Sequence, residues 1–271
     1  MAVAVRFALR SSDDPELGSL AMSTVALLVT GAIALVARPD FDLGELWPFL
    51  VAGAIAPGLS QILFVRAVRE AGAARTSVLM GTAPLVAVAI ALTVLGEPVS
   101  AALLAGAGLI VAGGFALANE RVRPADFRRL GVLFAVGATV LFAVRDNVLR
   151  AIARDTSVDA LVAAPVSLLA GTATVAVYLL ITRRGAWSRG YGATARAFLP
   201  AGLLFGLSYT ALFQAYYRGR VSVVAPLVAT ESLFAVLLAV LLLRRTELVS
   251  RHLVLGASLV VAGGALIGAF R

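Results

Sequence analysis

The stretch VLMGTAPLVAVAIALTVLGEPVSAALLAGAGLIVAGGFAL (residues 78–117) returns 150 residues later as VATESLFAVLLAVLLLRRTELVSRHLVLGASLVVAGGALI (228–267). Without a gap, Val78 falls on Val228, Ala89 on Ala239, Leu92 on Leu242 and Glu97 on Glu247. Val99 and Ser100 fall on Val249 and Ser250, Gly106 on Gly256, and Gly113 and Gly114 on Gly263 and Gly264. Each copy is a pair of long apolar runs around a short turn carrying Glu. Such runs read as helices, because strands of a membrane barrel need only about 9–11 residues. A repeated block of hydrophobic helices is the mark of a duplicated membrane architecture. The fold class that follows is an all-α multispanning protein built from two repeats.

Working outward, the 271 residues are 61% hydrophobic, against about 45–50% for a soluble domain. The excess lies in charge-poor runs of the length that crosses a hydrocarbon core, about 20 residues. Nine runs qualify: 17–37, 46–65, 76–95, 99–118, 127–150, 160–182, 197–217, 221–243 and 248–270. Turns such as LGEPVS and RGRVS are tight, so consecutive helices are antiparallel neighbours. The longest polar connection, NERVRPADFRR at 119–129, divides a first repeat (1–118) from a second (130–271). Four runs fall in the first repeat and five in the second. Ala4-Val5-Arg6 followed by FALR matches Ala143-Val144-Arg145 followed by DNVLR, so residues 1–10 read as the remnant of a tenth helix. Completing that helix takes about 15–20 further residues upstream; the other reading is a true nine-helix variant. A repeat of five helices returns the chain to the opposite side, so the second copy is inserted inverted, and two inverted copies exchange conformations.

The net charge of +8 comes from 23 basic residues, all Arg. They sit at helix ends and in connections, which is the pattern of a multispanning protein rather than of a nucleic-acid binder. The Arg distribution over the connections puts the C-terminus outside. Exclusive use of Arg suggests GC-rich, bacterial coding, hence a bacterial inner (plasma) membrane protein. With no Cys and one His, thiol chemistry, disulfides and His clusters are excluded, and no metal site is expected. GAGLIVAGG lies inside a span and is not a dinucleotide fingerprint. No phosphate loop or catalytic carboxylate pair is present, so neither a cofactor nor an enzymatic activity is expected.

Each repeat closes on a Pro-bearing helix, a short Glu turn (LGEPVS, RRTELVS) and a Gly-rich last helix (GAGLIVAGG, GASLVVAGG). In this order, in both repeats, the chain resembles the drug/metabolite transporter superfamily, of the EamA type, over nearly all of 1–271. The resemblance implies ten helices, alternating access and export of small metabolites, amino acids or toxic compounds. It also implies cytoplasmic termini, in conflict with the Arg distribution. The acidic connection RPDFDLGE (38–45) departs from the basic residues frequent there in the family.

Several residues are candidates for carrying transport. Glu231 lies mid-span, where an ionised carboxylate costs about 2.5–3.5 kcal/mol. Either it faces a cavity, coupling protons or binding a cationic solute, or it stays neutral and bonds a carbonyl freed by Pro226. Its counterpart in the first repeat is Gly81. Thr210, Gln214 and Tyr217 share one helix face, with Tyr209, Phe213 and Tyr216 in an adjoining stripe. An amide beside aromatic rings suits an amphipathic organic solute, and interfacial anchoring is the other reading of the tyrosines. Gln61 holds nearly the same place in the first repeat. Arg145, Asp146 and Asn147 interrupt the end of the fifth run, as a gate or as a charge pair at the membrane edge. Pro84 and Pro226 are hinge candidates. Glu97 and Glu247 suit helix caps. His252 suits an interface. Gly264-x-x-x-Gly268 and Gly202-x-x-x-Gly206 permit close helix contact, compatible with a monomer or a homodimer.

The function expected is secondary active export of a small organic molecule, with proton coupling. Its partners are then the solute and the lipid bilayer, not nucleic acid. The rivals are a structural or chaperone-like membrane subunit, a membrane-embedded enzyme acting on a lipid-linked substrate, and a channel.

Overall fold

The computed structural model describes residues 1–94, 100–118, 127–183, 190–219, 221–243 and 250–269. Among the described residues all long regular structure is helical. In chain order it runs α1 (Ala2–Ser11), α2 (Pro15–Ala37), α3 (Trp47–Gly53), α4 (Ser60–Ala71), α5 (Ala73–Met80), α6 (Ala83–Val94), α7 (Ala101–Ala118) and α8 (Arg129–Asp155). It continues with α9 (Ala160–Arg183), α10 (Tyr191–Arg218), α11 (Val221–Ala229), α12 (Glu231–Leu242) and α13 (Arg251–Ala269). Among the described residues six segments are long and apolar enough to cross a membrane: Pro15–Ala37, Leu43–Ala71, Arg129–Asp155, Ala160–Arg183, Tyr191–Arg218 and Arg251–Ala269. The remaining apolar helices are shorter.

Local chemistry sets the ends and the breaks. α2 begins where Asp14 Oδ1 accepts the Leu17 N–H at 3.0 Å and Pro15 takes the first turn, satisfying a donor that the helix leaves open. A single residue, Gly72 at φ 91, turns α4 into α5, a conformation that glycine adopts without steric cost. Between α3 and α4 the turn Ala54–Leu59 widens, and Ala56 leaves the helical region (φ −144, ψ 112) before Pro57, across a cis peptide bond.

The run read from sequence as one helix over 76–95 is interrupted at Gly81–Thr82, and the run over 221–243 at Thr230. Thr230 falls on Met80 in the repeat, one residue before Gly81, so the two copies break within one residue of the same place. Pro84 stands in the first turn of α6, where its missing N–H disrupts no intrahelical bond. The break therefore precedes it.

The chain forms two compact units, one from Val3–Arg66 and Arg145–Gly219, the other from Ala67–Val144 and Arg220–Arg271. Each unit draws helices from both sequence repeats. In the first, α2, α4 and α9 enclose a core of Leu17, Leu20, Ile62, Val175 and Leu179. Small residues bring its helices together. A Cβ on Gly202 would lie 2.5 Å from Val25 Cβ, and one on Gly53 would collide with the Ser167 carbonyl oxygen. Large apolar side chains on the outside stay uncovered, as with Leu35 at 78% and Val36 at 85% exposure, a surface suited to lipid. In the second unit α7 and α13 run antiparallel. Cβ atoms on Gly106 and Gly113 would lie 2.7 and 2.8 Å from the carbonyl oxygens of Gly263 and Gly256. Those on Gly256 and Gly263 would in turn lie 3.0 and 2.5 Å from the carbonyls of Gly113 and Gly106. With no hydrophobic driving force between helices in lipid, such close backbone contact is what holds them.

A buried ion pair as the candidate functional site

α8 does not end at Arg145; it runs on to Asp155, which places Arg145 and Asp146 within the helix rather than at its edge. Consecutive residues do not face one another on a helix. The long Arg145 side chain swings round so that Nε and Nη2 both donate to Asp146 Oδ1, at 2.9 and 2.6 Å. The pair is 6% and 7% exposed, so both charges are largely withdrawn from the surface.

α10 supplies the groups that make this burial tolerable. Tyr209 and Tyr216 are seven residues apart, two turns along one helix face. The Tyr216 hydroxyl donates to Asp146 Oδ2 at 2.9 Å. The Arg145 guanidinium carbon stands 5.4 Å from the Tyr209 ring centroid, within cation–π range. The Tyr209 hydroxyl is 3.0 Å from Ser167 Oγ on α9. Phe205 meets the Tyr209 ring edge-on at 5.4 Å, and Phe213 lies 4.8 Å from it. One turn further along α8, Arg150 Nη1 donates to the carbonyls of Tyr216 and Tyr217, at 2.8 and 3.3 Å. Carbonyls at a helix C-terminus lack intrahelical donors, and a cation there opposes the negative dipole end.

Within the same unit, the start of α2 carries a second network. Glu16 accepts from Arg66 Nε at 2.6 Å and from Arg183 Nη2 at 2.6 Å. Arg183 also reaches both Asp14 oxygens, Nη2 at 3.0 Å from Oδ1. Arg66 Nη2 donates to the Tyr178 hydroxyl at 3.1 Å. The network joins the beginning of α2 to the ends of α4 and α9. Burial by itself would raise the Asp14 carboxyl, but hydrogen bonds from Arg183 and the Leu17 N–H outweigh it and hold the group below its ordinary 3.8. Elsewhere Glu45 Oε2 accepts from the Thr156 hydroxyl and the Ser157 N–H, both at 2.8 Å.

Tyr209, Arg145 and Asp146 come together as described, and Asn147 is half-buried beside them. Gln61 is fully buried, its Nε2 3.4 Å from Met22 Sδ on α2, and its Oε1 makes no hydrogen bond among the described residues. Gln214, Thr210 and Tyr217 are half-buried, and Thr210 donates back to the Gly206 carbonyl of its own helix at 3.0 Å. Glu231 is exposed and opens α12 directly after the break at Thr230, instead of lying mid-helix. It belongs to the other unit. Pro226 lies in α11, three residues before Ala229 ends it. His252 is exposed in the first turn of α13. Glu97, Glu247 and most of the connection 119–129 lie outside the described residues.

Sequence reasoning left the Asp14–Glu16–Arg66–Arg183 network unread. The signals were the Asp-Pro-Glu start of α2 and two arginines at the ends of apolar runs. Ser167 was missed altogether, since a lone Ser in an apolar helix carries no pattern.

A family model described as EamA-like transporter family matches residues 1–118 and 129–269. A solved crystal structure matches 98% of this chain and 93% of its own length, at 24% identity and a TM-score of 0.70, a likeness of fold. No curated protein matches the sequence.

Proposed function

The chain belongs to the EamA-like transporter family, part of the drug/metabolite transporter superfamily, and on that premise we propose that it exports a small organic solute by alternating access. Family and apolar helices together make it a multi-pass membrane protein; its place in the reading is the bacterial inner membrane. The observation that carries the proposal is the Arg145–Asp146 pair inside a spanning helix. Ionisable residues at such depth are costly, and they mark solute or proton paths by default.

The two repeats, 1–118 and 130–271, act in this reading as inverted copies of five helices each, the first copy's opening helix represented by α1. Two features support it. Helix breaks fall within one residue of equivalent positions, at Gly81–Thr82 and Thr230, and interrupted helices are where transporters bind and flex. The equivalent helices α7 and α13 are antiparallel, with Gly106 on Gly263 and Gly113 on Gly256. That reciprocal pairing is what a pseudo-two-fold axis in the membrane plane produces. Tyr209, Thr210, Gln214, Tyr217 and Gln61 line the solute path, Arg145, Asp146 and Asn147 gate it, and Glu231 couples protons. Pro84 and Pro226 flank the breaks that flex.

The test compares metabolites in medium and cytosol for cells making the protein, its Asp146→Asn variant, or neither. Export predicts a solute class enriched outside only with the intact protein. Identical profiles, with the protein verified in the membrane, would sink the reading.

A further inference from the structure

We infer that the groove between α12 and α13 binds an anionic phospholipid of the bilayer, its phosphate on Arg251 and an acyl chain along the apolar wall below. This goes beyond the transport reading and holds whatever the solute is. α13 is a spanning segment of 19 residues, about 28 Å at 1.5 Å per residue, close to the thickness of a hydrocarbon core. Its first turn, which carries Arg251, therefore lies at headgroup level. Arg251, Val254, Leu255 and Ser258 stand at i, i+3, i+4 and i+7 and share one helix face. With Ser250, and with Val240 from α12, they line an open cavity of about 440 Å³. All six belong to one unit of the chain.

Charge and depth together select the occupant. Arg251 is exposed, and its guanidinium makes no hydrogen bond or ion pair among the described residues. Arginine keeps its charge at any physiological pH, so the groove opens on a fixed cation. The backbone adds to it. The Leu253 N–H is taken by Ser250, through Oγ at 3.2 Å and the carbonyl at 3.1 Å. The N–H groups of Arg251 and His252 stay free at the positive end of the helix. Below them the lining runs about 10 Å toward the bilayer centre, from Arg251 to Ser258, over Val254 and Leu255 at 45% and 51% exposure. A soluble anion leaves that apolar wall bare, whereas an acyl chain covers it. A zwitterionic lipid brings an ammonium group that Arg251 repels. Basic sites at the membrane surface between spanning helices take anionic headgroups for this reason. A second copy of the chain fits less well, since a two-fold contact through the groove sets Arg251 against its own twin.

The experiment is native mass spectrometry of the purified full chain in detergent, titrated with palmitoyl-oleoyl phosphatidylglycerol, with phosphatidylcholine of the same chains, or with glycerol 3-phosphate. Circular dichroism verifies that each variant is folded. The first phosphatidylglycerol should bind about fivefold more tightly than phosphatidylcholine, the preference that one arginine at the surface supplies. Arg251→Gln should erase the preference. Arg129→Gln, at an exposed arginine that opens α8 and is not part of the groove, should leave it intact. Val254→Trp fills the groove without altering charge and should weaken phosphatidylglycerol binding. Glycerol 3-phosphate should not bind. Equal affinity for the two lipids, a preference that survives Arg251→Gln, or lipid binding indifferent to Val254→Trp overturns the inference. Glycerol 3-phosphate bound as tightly as the lipid makes this a site for free anions and overturns it as well. A dimer that Val254→Trp dissociates gives the groove to a second copy, with the same consequence. None of these outcomes touches the transport reading, which stands or falls on the metabolite comparison.

Discussion

Replacing Asp146 by Leu removes three hydrogen bonds, from Arg145 Nε, Arg145 Nη2 and the Tyr216 hydroxyl, at 2.9, 2.6 and 2.9 Å. It leaves a guanidinium at 6% exposure without its neighbouring anion. Breaking a buried pair on one side costs about 3–5 kcal/mol, whereas exchanging both partners for apolar residues of similar volume is often neutral or better. The double variant Arg145→Met with Asp146→Leu still orphans the Tyr216 hydroxyl, a cost of about 1–3 kcal/mol. That cost is common to both variants and cancels, so the double variant should be more stable than Asp146→Leu alone by about 3–5 kcal/mol, at least a hundredfold in the folding equilibrium. Unfolding in mixed micelles by sodium dodecyl sulfate, followed by far-ultraviolet circular dichroism, measures both variants against the parent. Additive effects, with the double variant at least as damaged as the single one, would refute the account of these residues as a buried, mutually dependent pair.

Three further outcomes are expected. On α7, Gly106→Ala drives a Cβ to 2.7 Å from the Gly263 carbonyl while Gly108→Ala meets nothing within 4 Å; overpacking of about 1–3 kcal/mol should separate the two in the same unfolding assay, and equal stabilities would contradict the α7–α13 seam. Asp14, whose folded carboxyl lies below 3.8, contributes stability that is present above that value and lost as pH falls through the lower folded one; at this partly exposed site the contribution is under about 1 kcal/mol, and an unchanged acid limb in Asp14→Asn would count against it. Glu231→Gln, at an exposed position opening α12, should leave stability within about 0.5 kcal/mol while lowering proton-driven export in vesicles; unaltered export removes Glu231 from the coupling role.

Much of this protein is written in patterns that need no neighbours. A span is an unbroken apolar stretch, so α2, α8, α9, α10 and α13 were readable from composition and length. The duplication was readable from Glu97/Glu247 and the glycine pairs, and with it the family. Tyr209, Arg145 and Asp146 could each be singled out, because polar side chains in an apolar run are conspicuous. What spacing along one chain does not contain is which helices meet. Arg145 and Tyr209 are 64 residues apart in the chain, and only the packing of α8 on α10 brings the guanidinium over the ring and Tyr216 onto Asp146. The same holds for Arg183 on Asp14 and Glu16, and for Ser167 on Tyr209. The interruptions at Thr230 and Gly81 were also hidden, since a helix break in an apolar run costs little in hydropathy and shows only in backbone dihedrals and contacts. Burial in lipid is a one-dimensional property that each residue declares for itself; pairing of charges inside the bundle is a relation between helices, and only the folded chain determines it.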